Sequence, residues 1–243
     1  MKPTSTFIGM LLAAVLALVL AQGAQAQSQL VRAIKQDYAS GIESMLAQGV
    51  DPNIKDERGQ PGIVMALHEG SFQAAKVLVD SPKLNVNATN ESGENALMMA
   101  AWAGQLDIAK KLVAKGASIN KTGWTPLHYA ASKGRLEMIR YLLDQGADID
   151  AGSPNGTTPL MMAVGYGSPE SVKLLIESGA DITKRNQLEL SALDFAKQYA
   201  RPDAAKLLTQ AEQFREQGRV WPRRAAAPAA SAAPAASAAS AEQ

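Results

Sequence analysis

Thr125-Pro126-Leu127-His128-Tyr129-Ala130-Ala131-Ser132-Lys133-Gly134, followed by Met138-Ile139-Arg140-Tyr141-Leu142-Leu143 and then Gly146-Ala147-Asp148, decides the fold. The frame returns 33 residues later at Thr158-Pro159-Leu160-Met161 and closes in Gly179-Ala180-Asp181. Asn95-Ala96-Leu97-Met98 stands 30 residues before Thr125, and a poorer copy from Pro61 to Gly70 begins 34 residues before that. Repetition at this period predicts a stacked solenoid, an architecture that binds other macromolecules more often than it catalyses reactions.

The chemistry of each unit agrees with its period. Thr125 and Thr158 are good helix N-caps, because a hydroxyl can accept from a free amide of the first turn. Pro126 and Pro159 suit the first helical position, where no donor is needed. Leu127, Ala130 and Ala131 share one helical face, and the alanines let neighbouring helices approach closely. Gly70, Gly104, Gly134 and Gly167 are placed to close the short first helix in a left-handed conformation. A more apolar second helix follows, as in Leu142-Leu143 and Leu174-Leu175-Ile176. One such pair cannot bury its apolar face alone, so stability must come from stacking.

The T-P-L-H tetrapeptide, the Ala-Ala pair, the mid-unit Gly and the Gly-Ala-Asp ending occur in register, and together they resemble the ankyrin repeat over about residues 29 to 210. The resemblance implies an all-α ankyrin-repeat solenoid, each unit a helix-turn-helix with a β-turn finger. It implies four central repeats (54–87, 88–120, 121–150 and 151–183) between an N-cap at 27–53 and a C-cap at 184–218. Two departures stand out. Pro61-Gly62-Ile63-Val64 replaces the tetrapeptide, which predicts an irregular start to that helix. The finger after Asn120 is also shorter than those after Asn53, Asn87 and Asp150, which predicts a notch at Lys121 in the row of fingertips.

The ends read differently. Lys2, the apolar run Phe7 to Leu20 and Ala24-Gln25-Ala26 have the pattern of a signal peptide over 1–26, with cleavage near Ala26. The expected location is the periplasm, with no stable membrane anchor. The chain contains no cysteine, so neither disulfides nor thiolate metal sites are available. Its 24 basic residues oppose 23 acidic ones, and without Lys2 the two counts are equal. That balance, with no basic stripe, argues against nucleic-acid binding. Residues 219–243 begin with a small basic junction, Arg219 with Arg223-Arg224 beside Trp221. They end in an Ala/Pro/Ser-rich stretch with no large apolar residue to bury, read as a disordered tail.

No catalytic constellation emerges. His128 occupies the T-P-L-H slot, for which the resemblance implies a structural hydrogen bond to the neighbouring loop. His68-Glu69 has no further ligand at helical spacing, so neither a metal nor any other cofactor is expected. P-loop, serine-elbow and H-E-x-x-H patterns are absent from the sequence. The remaining candidate is a surface. In each unit the residue after the tetrapeptide, and the two before the mid-unit Gly, should line the concave groove. They include Met65, His68, Met99, Trp102, Tyr129, Lys133, Met162 and Tyr166, with Trp124 beside them at the base of the shortened finger. Trp, Tyr and Met are enriched at the centres of protein interfaces. The expected rim comprises the fingertip residues Lys55, Glu57, Arg58, Asn90, Glu91, Lys121 and Asn155.

Read together, these features predict a monomeric, non-enzymatic protein-binding module, similar to exported bacterial ankyrin-repeat proteins. It would hold a protein partner in its groove and so stabilise or inhibit an envelope enzyme or toxin. The other reading is a structural envelope component that touches the cell wall through its basic junction and tail.

Overall fold

The computed structural model describes residues 23, 25–219 and 221–222. The expected signal segment and the tail beyond Pro222 fall almost wholly outside that range. Among the described residues the first helix, α1, covers residues 25–35. Eleven more follow: α2 Ala39–Ala47, α3 Gly62–Glu69, α4 Phe72–Asp80, α5 Ala96–Ala103, α6 Leu106–Ala114, α7 Pro126–Ser132, α8 Leu136–Asp144, α9 Pro159–Tyr166, α10 Pro169–Glu177, α11 Ala192–Gln198 and α12 Pro202–Glu216. They make six antiparallel pairs. From α3 to α11 the first helices of each pair pack side by side in an inner row, and the second helices form an outer row. Among the described residues there is no strand, only the isolated bridges Lys55–Pro61, Thr89–Asn95 and Arg185–Ser191, each closing a finger. The architecture is an all-α solenoid.

The inner row packs closely because its helices carry small residues on the shared faces. Ala100, Ala101, Ala130, Ala131 and Ala163 are all fully buried. Leu78, Leu112, Leu142 and Leu175 fill the space between the rows and are likewise inaccessible. Caps then set where each helix begins. Asn95 Oδ1 accepts from the Met98 amide at 3.0 Å, Thr158 Oγ1 from Met161 at 3.3 Å and Ser191 Oγ from Asp194 at 3.2 Å. At Pro61 the irregularity expected from the altered tetrapeptide is confined to the cap. Helix α3 starts in register at Gly62 without a side-chain cap bond.

Three of the four mid-unit glycines are left-handed: Gly70 at φ 83°, Gly104 at 77° and Gly134 at 61°. Gly167 is not; its backbone is extended, at φ −86° and ψ −153°. Its requirement for glycine is space, since a Cβ there would lie 2.4 Å from the Ala131 carbonyl oxygen and 2.8 Å from that of Ala163.

Successive finger bases are joined by one repeated device. Asn53 accepts from the Asn85 amide at 2.6 Å and donates to the Lys83 carbonyl at 2.8 Å. Asn87 does the same with Ser118 and Gly116, and Asn120 with Asp148 and Gly146. Asp150 takes the fourth position. It accepts from the Asp181 amide at 2.9 Å, but a carboxylate has no proton for the neighbouring carbonyl.

At the C-terminal end the packed structure runs past the boundary expected at residue 218. The Arg219 amide closes the end of α12 on the Phe214 carbonyl at 2.8 Å, and the Arg219 guanidinium lies 4.4 Å from the Phe214 ring. Trp221 meets that ring edge-on at 5.2 Å and is half-buried against the core.

Candidate functional site

The three groove positions of each repeat are not equivalent. The first sinks into the stack: Met65 is 0% exposed and Met99 2%. Both were expected on the groove surface; instead they fill the space between inner helices and offer nothing to a partner. Tyr129 and Met162, at the same position, are half-buried. At the second and third positions His68, Lys133 and Tyr166 are exposed and Trp102 is half-buried, while Gly165 is buried.

Trp102 sits between its neighbours along the groove. The His68 ring stacks on it at 6.1 Å, inclined by 19°. Lys133 Nζ lies 4.9 Å from the centre of the indole, close enough for a cation–π attraction. Arg135 fixes the backbone beneath, donating Nε–H to the Trp102 carbonyl at 3.3 Å. Side chains from three consecutive repeats therefore form one column on the concave face.

Tyr129 is engaged within the fold. Its hydroxyl donates to Glu94 Oε1 at 2.6 Å, while Glu94 Oε2 accepts from Asn90 Nδ2 at 2.8 Å. Burial, reinforced by the bond to Glu94 and that carboxylate's charge, pushes the phenol pKa far above its ordinary range. Tyr129 also helps line a hollow of about 170 Å³ with Trp124, His128, Ser132 and Met162. The polar side chains around it are committed elsewhere: Ser132 Oγ donates to the Tyr129 carbonyl at 2.9 Å, and both His128 nitrogens have partners within the fold. The hollow therefore offers mainly an apolar surface.

His128 is fully buried. Nδ1 accepts from the Thr125 amide at 3.1 Å and lies 2.9 Å from Thr125 Oγ1, while Nε2 lies 2.9 Å from the Thr157 carbonyl oxygen. The amide and the carbonyl assign the proton to Nε2, which donates into the next finger. Burial lowers the imidazole pKa below its ordinary value, partly opposed by the Thr157 carbonyl. The Trp124 ring meets the imidazole edge-on at 5.3 Å.

The short finger does not leave Lys121 free at a notch. Its Nζ spans to the Gly93 carbonyl at 2.6 Å, so the lost length is bridged by a side chain. Asn155 is likewise engaged, its carbonyl accepting from Gln187 N at 2.9 Å. Lys55, Glu57, Arg58 and Glu91 remain exposed at the tips.

Toward the C-terminal end, two exposed side chains were missed by the sequence reading. Tyr199 occupies the third groove position of the last unit, eight residues after Ser191 as Tyr166 is eight after Thr158; counting that frame into the C-cap would have found it. The two rings meet at 5.1 Å with hydroxyls 2.7 Å apart. Leu188, 71% exposed, forms the tip of the last finger. Beside it Glu189 adopts φ 57°, where the other fingers carry Gly59, Gly93, Gly123 and Gly156.

Among the described residues no group of three His, Asp or Glu side chains could hold a metal ion, and no helix is long and apolar enough to cross a membrane. The arrangement offers a concave surface of rings and aliphatic stems with charged fingertips beside it.

Comparison with known proteins bears on what such a surface does. A family model described as ankyrin repeats (3 copies) matches residues 30–122, 118–186 and 155–217. The rat ankyrin repeat and SAM domain-containing protein 6 is 40% identical over 82 residues, which make up 32% of this chain and 9% of that protein. Human NF-kappa-B inhibitor alpha is 32% identical over 99 residues, 39% of this chain and 31% of that one. The matched segment is thus a small part of the length of these relatives. Among solved structures, one chain of the Bdellovibrio bacteriovorus predatory endopeptidase in complex with an immunity protein superposes with a TM-score of 0.64 at 28% identity, covering 74% of this chain and 96% of that one. An ankyrin repeat domain from Acinetobacter baumannii superposes at 0.65, with 26% identity and coverage of 76% and 97%.

Proposed function

The chain belongs to the ankyrin-repeat family, a family of protein-binding modules, and on that premise we propose that it is exported to the periplasm and binds a protein partner in its concave groove. The partner is an envelope enzyme or toxin whose activity the bound module restrains. The observation that carries this reading is the aromatic row along the concave side of the inner helices. Trp102 is held between His68 and Lys133, and Tyr166 continues the row toward Tyr199. Rigid aromatic side chains of this kind act as interface anchors, because they bury much area with few rotamers to freeze. Likeness to a chain from an endopeptidase–immunity protein complex supports an enzyme as the partner.

The test is affinity capture from a periplasmic extract, followed by assay of the captured enzyme with and without the module. Truncating an anchor costs about 2 kcal/mol or more, roughly a thirtyfold loss of affinity. Trp102→Ala combined with Tyr166→Ala should therefore lose the partner while retaining helical circular dichroism. Capture undiminished by the double change would move the site to the fingertips or the convex back. Recovery of the chain from the cytoplasm with Met1 intact would remove export from the reading.

A further inference from the structure

Tyr166 ends α9 and Tyr199 directly follows α11, at equivalent positions of successive repeats. Tyr166 is 53% exposed and Tyr199 37%. Their hydroxyl oxygens are 2.7 Å apart, and their rings lie 5.1 Å apart with planes inclined by 62°. Arg201 holds the segment bearing Tyr199 on the end of α9, donating to the Gly165 carbonyl at 3.0 Å and the Gly167 carbonyl at 2.6 Å. Phe195 stacks against the Tyr199 ring at 5.8 Å. The pair is thus both open to solvent and fixed in register. Among the described residues no other two tyrosines are in ring contact: Tyr38 is 56% exposed but pairs with no ring, and the Tyr129 hydroxyl is occupied by Glu94.

We propose that Tyr166 and Tyr199 form an oxidative cross-linking site, where a peroxidase-type one-electron oxidant supplied with hydrogen peroxide joins the two rings as dityrosine. Each phenol gives up one electron and its hydroxyl proton. The unpaired electron spreads to the ring carbons ortho to oxygen, and a bond forms between one Cε of each ring. The hydrogens on those two carbons then move to the oxygens as the rings become aromatic again. Two electrons and two protons leave the pair, and one hydrogen peroxide takes them up as two waters. The product places its hydroxyls ortho to the new bond, within hydrogen-bonding reach and on inclined rings, an arrangement close to the one already present. Holding two reactants in near-product geometry removes most of the entropic barrier to joining them. With no cysteine in the chain, phenolic coupling is the bond by which an oxidising compartment can tie one repeat to the next. The cross-link would fasten the C-terminal cap to the fifth unit.

The test treats the purified, folded, full chain with horseradish peroxidase and limiting hydrogen peroxide. The expected product remains a monomer on a denaturing gel, loses the mass of two hydrogen atoms and gains blue dityrosine fluorescence. Tandem mass spectrometry of a digest should join the peptides carrying Tyr166 and Tyr199. Tyr166→Phe and Tyr199→Phe should each abolish this product with circular dichroism unchanged, whereas Tyr38→Phe should leave it intact. The proposal is overturned if dityrosine forms only between separate chains, if the internal bond uses another tyrosine, or if none forms.

Discussion

Tyr129 and Glu94, 35 residues apart, are joined by a 2.6 Å hydrogen bond from the phenol to the carboxylate that ties adjacent repeats across the groove. The bond gives Tyr129 a structural part in a position that sequence alone assigned to partner contact. Tyr129→Phe keeps the ring in the stack and removes only the hydroxyl. A bond to a charged acceptor contributes about 1.5–3 kcal/mol when buried, and the half-exposure of Tyr129 places the expected loss near the lower end. Urea unfolding measures that loss, and partner capture should survive the change. Loss of capture with unchanged stability would make the hydroxyl a contact for the partner.

His128 makes the fold sensitive to acid. Its folded pKa lies below the ordinary 6.5 because burial disfavours the imidazolium. As pH falls through 6.5, the unfolded chain takes up a proton that the folded chain refuses, so stability is complete above that value and declines below it. The urea midpoint should therefore drop between about pH 8 and about pH 5.5. His128→Gln should be less stable at the upper pH and flatter across the interval. An equally steep decline in the variant would assign the acid sensitivity to other groups.

Trp221 packs on Phe214 beyond the boundary expected at residue 218. A chain stopped after Pro222 retains the Phe214–Trp221 contact, whereas one stopped after Gly218 also loses the Arg219 bond to the Phe214 carbonyl. Burial of an aromatic ring contributes about 1.5–3 kcal/mol when complete; Trp221 is half-buried, so the shorter chain should lose about 1 kcal/mol and melt lower. The chain stopped after Pro222 should melt with the full chain, because the residues it lacks include no large apolar side chain to bury. Equal melting of all three would return the boundary to residue 218.

The helix pairs, their order and their starts could be read from Thr125-Pro126-Leu127-His128 and its copies, because caps and helical periodicity are local. What the sequence left open was set between repeats. Periodicity places Met65 and Met99 on the groove side of their helices, but it does not show that an unbranched side chain turns into the gap beside the next helix and is covered there. Gly167 carries the same residue as Gly70 and Gly104 yet is extended, in company with an extended Ser168 at ψ 158°, where Ser71 and Gln105 have ψ 69° and 76°. Lys121 was visible as a shortened finger; its reach to Gly93 depends on the neighbouring finger lying within a lysine's length.

Asp150 is where the finger ladder is incomplete, and repairing it should stabilise the chain. Asn53, Asn87 and Asn120 each accept an amide and donate to a carbonyl of the next unit. Asp150 accepts the Asp181 amide but has nothing to donate. Its carboxyl pKa is raised, first by burial and further by the charges of Asp181 and Asp148, with Lys184 and the accepted amide opposing. A raised acid favours the folded state only where it is protonated, so its ionisation costs stability as pH rises through the carboxylate range. Asp150→Asn removes that cost and supplies the missing donor, aimed at the Gly179 carbonyl by analogy with Gly116 and Gly146. One net hydrogen bond contributes about 1 kcal/mol, so the urea midpoint should rise at neutral pH, and the gain should shrink as the wild-type carboxyl is protonated in acid. If Asp150→Asn lowers the midpoint at neutral pH, the carboxylate is needed where it stands, and the asparagine ladder does not explain how the fourth and fifth units are joined.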